Sequence, residues 1–144
     1  MATPVYGKQF IRFAETGLVP DSESIPQFRV VSINNTPATE PPTIELTGAE
    51  PFFGVLQQDV DAVDPDKATT GQRLGTVATS GLLLVEASAT NAPVQGTALE
   101  VDGNGIAVTS GAALGTAVVT SGGAATVRQT DTIGGVYMAL CSFG

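Results

Sequence analysis

Apolar and polar positions alternate along this chain in short bursts, each closed by Gly, Pro, Ser, Asn or Asp. That rhythm predicts strands joined by turns, with little room for helix. Gln27 to Asn34 (QFRVVSIN) reads as a strand with Phe28 and Val30 on one face and Val31 and Ile33 on the other. Ile44 to Leu46 and Phe52 to Gln57 are two further short strands, Gly54 marking a bulge or a close backbone approach. From Gly71 to Gln129 the pattern runs on unbroken, with Leu82 to Val85, Ile106 to Thr109 and Thr116 to Thr120 as apolar or β-branched runs between turn clusters. Ala124 to Thr130 sets Ala125 and Val127 on one side and Arg128 on the other. Val136 to Phe143 (VYMALCSF) is an apolar closing strand suited to pairing with an early one.

Three segments share a Gly-Thr opening, a short apolar run and a Gly-containing turn: Gly75 to Gly81, Gly96 to Gly103 and Gly115 to Gly122. They begin 21 and 19 residues apart, and this unequal spacing favours successive hairpins over a solenoid. Asp102-Gly103-Asn104-Gly105 is the clearest hairpin turn, because Asp, Asn and Gly tolerate positive φ. It should bring Leu99 and Val101 against Ile106 and Val108 on one face.

The first residues differ in character. Pro4, Gly7, Gly17, Pro20 and Pro26 surround a short mixed run, QFIRFA, from Gln9 to Ala14. Such punctuation limits regular structure, so residues 1–25 are expected to form an extended arm and residues 26–144 a single β domain. The alternative is that the run is the first strand of the domain's own core. Lys8, Phe10, Ile11, Arg12 and Phe13 are the expected contact residues of the arm, two cations and three large apolar side chains in six positions.

Charge sharpens this division. The chain carries 6 Lys and Arg against 14 Asp and Glu, a net −8, which argues against nucleic acid or anionic membrane as the main partner. Met1 to Ala14 holds +2, whereas Val30 to Asp66 holds seven carboxylates and no cation, so a basic, aromatic-bearing end stands against an acidic middle. A chain of 144 residues suits one domain with a real core. Residues 1–10 lack the features of an export signal, and no apolar run nears the ~20 residues that span a bilayer. The expectation is a soluble protein made without export.

Reactive groups are scarce. With no His, a Ser-His-Asp or Cys-His site is excluded and zinc loses its commonest ligand; Cys141, the single cysteine, has no intrachain partner for a disulfide. Asp59 to Asp66 gathers four carboxylates but lacks the glycine and final glutamate of an EF-hand, and a solvated acidic loop is the expected reading. Glu86, Glu100 and Asp102 are the remaining carboxylates for glycosidase-like chemistry, with no aromatic side chain beside them to hold a sugar. Gly103-x-Gly105 lacks the third glycine and the helix of a nucleotide-binding loop. No enzymatic activity, no cofactor and no metal are expected.

The order FGVLQ (Phe53 to Gln57), an acidic or small-residue loop, GQRLGTVATSGLLLVEA (Gly71 to Ala87), PVQGTALEVDGNGIAVT (Pro93 to Thr109) and LGTAVVTSGGAATVRQ (Leu114 to Gln129) resembles the capsid decoration, or cement, proteins of tailed bacteriophages. The resemblance covers about residues 52–129. It implies a small β-barrel or β-sandwich on the outer surface of the phage head, a homotrimer in many such proteins, that clamps neighbouring major capsid protein subunits and stabilises the shell. The rival expectation is a receptor- or carbohydrate-binding β module of a phage tail or fibre.

Overall fold

The computed structural model describes residues 9–20, 23–34, 41–46, 52–61, 73–109, 119–120 and 125–144, and every regular element among them is a β-strand. In chain order they are β1 (Phe10–Val19), β2 (Val30–Asn34), β3 (Thr43–Leu46), β4 (Phe52–Leu56), β5 (Arg73–Glu86), β6 (Glu100–Val101), β7 (Ala107–Val108), β8 (Val119–Thr120), β9 (Ala125–Ile133) and β10 (Val136–Phe143). The all-β expectation holds. The strand order β1-β3-β2-β4-β5, with β1 returning to pair with β5, closes five strands into a ring; β10 and β9 continue the sheet from β5. A separate three-stranded sheet runs β7-β6-β8.

The sequence of β5 explains its central place. It is 14 residues long and free of proline, so both edges can pair along its length. Ala78 meets Ala14 of β1 and Val55 of β4, and Leu82 meets Phe10 of β1 and Ser142 of β10. At these positions β5 has a strand neighbour on both edges, which serves the backbone groups that burial would otherwise leave unpaired.

Each ring strand sends at least one side chain to a common cluster. Val19 from β1, Val31 from β2, Ile44 from β3, Leu56 from β4 and Val77 from β5 form one buried cluster with Ile25 and Val60. Their sequence neighbours point the other way by the twofold period of a strand. Val30, Val55 and Ala78 join the larger core, where Leu83, Val85, Val127, Ala139 and Phe143 meet Leu99, Val101 and Ala107 of the small sheet region. Burying each such Val, Leu or Ile contributes ~1.5–3 kcal/mol, so this two-sided burial carries the fold.

Several expectations are corrected by these pairings. Residues 10–19, assigned to an arm over 1–25, form a strand of the chain's own sheet, paired with β5 from Phe10↔Leu82 to Val19↔Arg73, and Val19 and Ile25 belong to the core. The physical reason is that β5 offers an open edge complementary to QFIRFAETGLV. The turn expected at Ser80-Gly81 lies inside β5, so the first of the three similar segments is no hairpin. The third falls, except for β8, outside the described residues. β10 spans Val136–Phe143 as expected, but its partners are β5 and β9 rather than an early strand.

Other expectations stand. Gly54 sits at a bulge, where β2 pairs Val31↔Gly54 and then Ser32↔Phe52. The Asp102 to Gly105 turn forms, with Asp102 N–H donating to the Ile106 carbonyl at 2.9 Å. Across it Val101 faces Ala107, not Ile106, so Ala107 takes the buried place expected for Ile106. Ala125 and Val127 are buried and Arg128 is exposed, as the alternation required.

Candidate interaction surface

The strand β1 divides in the middle. Phe10 to Thr16 are exposed and burial begins at Gly17, because β1 acquires its second neighbour, β3, only at Leu18↔Thr43. Ahead of that point, β1 has β5 on one side and no named pairing on the other among the described residues. Three large apolar side chains stand on this projecting half: Phe10 is 64% exposed, Phe13 62% and Ile11 42%. The Arg12 guanidinium lies over the Phe13 ring at 5.8 Å from its centroid, a cation–π contact that holds both groups outward. Thus four of the five contact residues expected from sequence share one projecting strand. Lys8 lies outside the described residues.

A further cluster lies outside the expectations. The face of β5 and β10 turned from the larger core carries a buried apolar cluster of its own, Leu84, Met138 and Leu140, with the partly buried Phe28, Leu82 and Ile133 packed against it. Beside it opens a cleft of about 370 Å³, with Phe28, Leu84, Ile133 and Met138 in its wall and Asp59 and Glu86 at its polar side. The signal in the sequence was the unbroken run Leu82 to Val85. Four consecutive apolar residues on a strand mean that both faces are covered.

The cleft is fixed by backbone geometry. Phe28 has φ +67°, in the left-handed region that bulky residues avoid. Two hydrogen bonds hold it there: its N–H donates to the Leu56 carbonyl and its carbonyl accepts the Glu86 N–H, both at 2.8 Å. This turns the ring away from the face of Val30, where alternation had placed it, and onto Leu84 and Met138. Gln27 N–H donates to Asp59 Oδ1 at 2.7 Å, and Gln27 Nε2 donates to the Gln57 carbonyl at 2.9 Å, tying the polar side to the segment that follows β4. Gln9 closes the group: its Nε2 donates to Gln57 Oε1 at 3.0 Å, and its Oε1 accepts the Leu84 N–H at 2.9 Å.

Two of the carboxylates singled out for chemistry, Glu86 and Asp102, are engaged structurally, while Glu100 lies half-buried on β6. Glu86 pairs with Arg29 at 3.1 Å, and the same guanidinium donates to the Asn104 carbonyl, linking β5 to the hairpin turn. Asp102 Oδ1 accepts the N–H groups of Asn104 and Ile106, so it builds the turn itself. Of the acidic loop, Asp59 and Asp61 are described, and 62–66 lie outside the described residues. Cys141 is buried in the larger core, and burial pushes its thiol up to about 12, which keeps it protonated and unreactive at neutral pH.

Searches among known protein families, curated proteins and solved structures find no match to this chain.

Proposed function

We propose that this chain is a structural protein of a tailed-bacteriophage virion that binds the outer surface of the head and clamps neighbouring major capsid protein subunits. The observation that carries the reading is the projecting half of β1, where Phe10, Ile11 and Phe13 are held in water beside Arg12. Large apolar groups grouped with an arginine on one exposed strand have the composition of an interface core. The resemblance of residues 52–129 to decoration proteins supplies the identity of the partner, and with it assembly as a homotrimer. The net charge of −8 suits a surface turned away from packaged nucleic acid. No catalytic step, cofactor or metal enters this role.

The pairing of β1 with β5 changes how the contact works. A tethered arm would order on binding and lose conformational entropy in doing so; a strand already hydrogen-bonded presents its side chains preorganised. Many copies on one shell then multiply a modest contact. The test is binding of the purified full chain to expanded heads that lack it. The double variant Phe10→Ser/Phe13→Ser should stay folded and lose head binding at least tenfold, whereas undiminished binding would remove β1 from the role. Copy number on purified virions separates this reading from a tail or fibre module, hundreds against a handful.

A further inference from the structure

Among the described residues, the seven-stranded sheet has two open main-chain edges. One is the projecting half of β1, Phe10 to Thr16, ahead of the point where β3 joins at Leu18↔Thr43. The other is the second half of β9. Its first residues are covered, since Val127 N–H donates to the Thr97 carbonyl and the Val127 and Ala125 carbonyls accept the N–H groups of Gly96 and Leu99. From Arg128 to Ile133, β10 lies on one side and no described strand on the other. There Asp131 Oδ1 accepts the Thr132 N–H at 2.8 Å, a bond made within the strand itself. Open edges of this kind are templates for a further strand.

The two edges match in one register. The open part of β1 carries Arg12 and Glu15, and that of β9 carries Arg128 and Asp131, each with the cation first and the same step to the carboxylate. Antiparallel pairing with Arg12 opposite Asp131 therefore sets Glu15 opposite Arg128, whereas parallel pairing sets like charges together. The same register puts Phe10 opposite Ile133, whose partner on β10 is the exposed Val136. We propose that a second copy of this chain extends the sheet, the β9 edge of one copy taking the projecting half of β1 of the next in this register. Pairing β1 with β1 also matches charges, but it sets Phe10 opposite Gly17 and leaves the β9 edge open. Pairing β9 with β9 sets Ile133 opposite Thr126, which is already bridged to Ala98. Both strands are bulged at their arginine, a device that deters indiscriminate edge pairing and leaves the choice of partner to these side chains. Within one copy the antiparallel steps from β1 to β5, β10 and β9 leave β1 and β9 running in opposite directions, so antiparallel addition gives every copy the same polarity, as a closed ring requires. The contact uses the edge of β1 and leaves its faces to a capsid. It rests on the proposed virion role only for closure at three copies.

The test is sedimentation of the purified full chain. Arg12→Glu/Glu15→Arg reverses the charges of β1, and Arg128→Glu/Asp131→Arg reverses those of β9. The parent should sediment as an oligomer, and either reversal alone should weaken self-association by about tenfold or more, because two cross-strand attractions become repulsions. The chain carrying both reversals should recover it. A monomeric parent, no recovery, or association untouched by one reversal alone overturns the proposal; the last is the signature of β1 on β1 or β9 on β9, since a reversed strand still matches itself. A second measurement leaves the charges in place. Ala14 stands opposite Gln129 in this register and Cys141 is buried, so Ala14→Cys chains mixed with Gln129→Cys chains should form disulfides between unlike chains under mild oxidation. Disulfides between like chains, or none, overturn the proposal. Head binding is scored apart: a chain that assembles in this way but ignores expanded heads fails the virion role and upholds the pairing, and a monomer that binds them does the reverse.

Discussion

Gly81 brings its α-carbon against the main-chain carbonyl of Phe10, with φ +124° and no space for a β-carbon. This contact lets β1 lie on β5. It also resets the alternation of β5: Ala78 and Leu83 are five positions apart, an odd spacing that a regular strand sends to opposite faces, yet both enter the larger core. The pairing with β1 shifts register here, between Ile11 and Phe13 and again between Phe13 and Ala14. A bulge slips the pattern by one residue and so turns the second half of β5 over.

Gly81→Ala should therefore destabilise the protein by more than about 1 kcal/mol, the usual limit of a benign glycine change, because positive φ and backbone contact act together. Urea unfolding gives the loss, and amide exchange should locate it in Phe10 to Ala14. Gly96, with φ +88° but nothing within 4 Å of a built β-carbon, is the control: Gly96→Ala should cost less.

Phe28 offers a test with an unusual sign. Its side chain packs on Leu84 and Met138 while its backbone sits at φ +67°. Phe28→Ala removes the packing and keeps the strain, whereas Phe28→Gly removes both. The glycine variant should be the more stable of the two by ~1 kcal/mol, the reverse of the usual ranking, since the left-handed region costs a non-glycine residue ~1–2 kcal/mol. Equal midpoints in urea would show that the backbone there is unstrained.

How much of this was legible follows from such positions. The alternation and turn residues predict an all-β chain, and they place β10 to the residue, because regular strands obey local rules. What escapes is set by contacts between distant residues. Ser80-Gly81 has the composition of a turn, and only the edge offered by β1 makes it a bulge within a strand. Phe28 leaves its expected face because Leu56 and Glu86, 28 and 58 positions away, take its backbone hydrogen bonds. The run of large apolar side chains on β1 was legible by type, but the strand's pairing was not, since proline and glycine around QFIRFA look alike in an arm and at an edge.

Arg29 joins three parts of the fold, as its guanidinium holds Glu86 and the Asn104 carbonyl. Side chains 17% and 26% exposed are screened less than a surface pair but are not desolvated. A double-mutant cycle of Arg29→Met and Glu86→Gln should give a coupling of about 0.5–1.5 kcal/mol. Arg29→Met alone should also speed amide exchange in the Asp102 to Gly105 turn, and Glu86→Gln should not.

Cys141 gives a pH dependence. In the unfolded chain the thiol ionises near 9.0, while burial raises it to about 12 in the folded protein. Between these values the unfolded state releases a proton that the native state retains, so stability present below pH 9.0 falls as pH rises toward 12. The thiol's share of the slope approaches ~1.4 kcal/mol per pH unit, one proton's worth. Cys141→Ala should be less stable at pH 7 through the cavity it leaves, and should lose this share of the alkaline slope. A slope identical to that of the parent would place ionisation elsewhere.

The projecting aromatics can be separated from the core by stability alone. Phe10 and Phe13 remain 64% and 62% exposed after folding, so neither recovers much transfer energy from the fold. Phe10→Ser and Phe13→Ser should each change stability by less than about 0.5 kcal/mol, as surface substitutions do. Leu83→Ala, at a residue fully buried in the larger core, should cost about 2–5 kcal/mol. If the two phenylalanine variants fall in the same range as Leu83→Ala, those rings are covered within the protein itself, and the strand that bears them is part of its core and not a face offered to a partner.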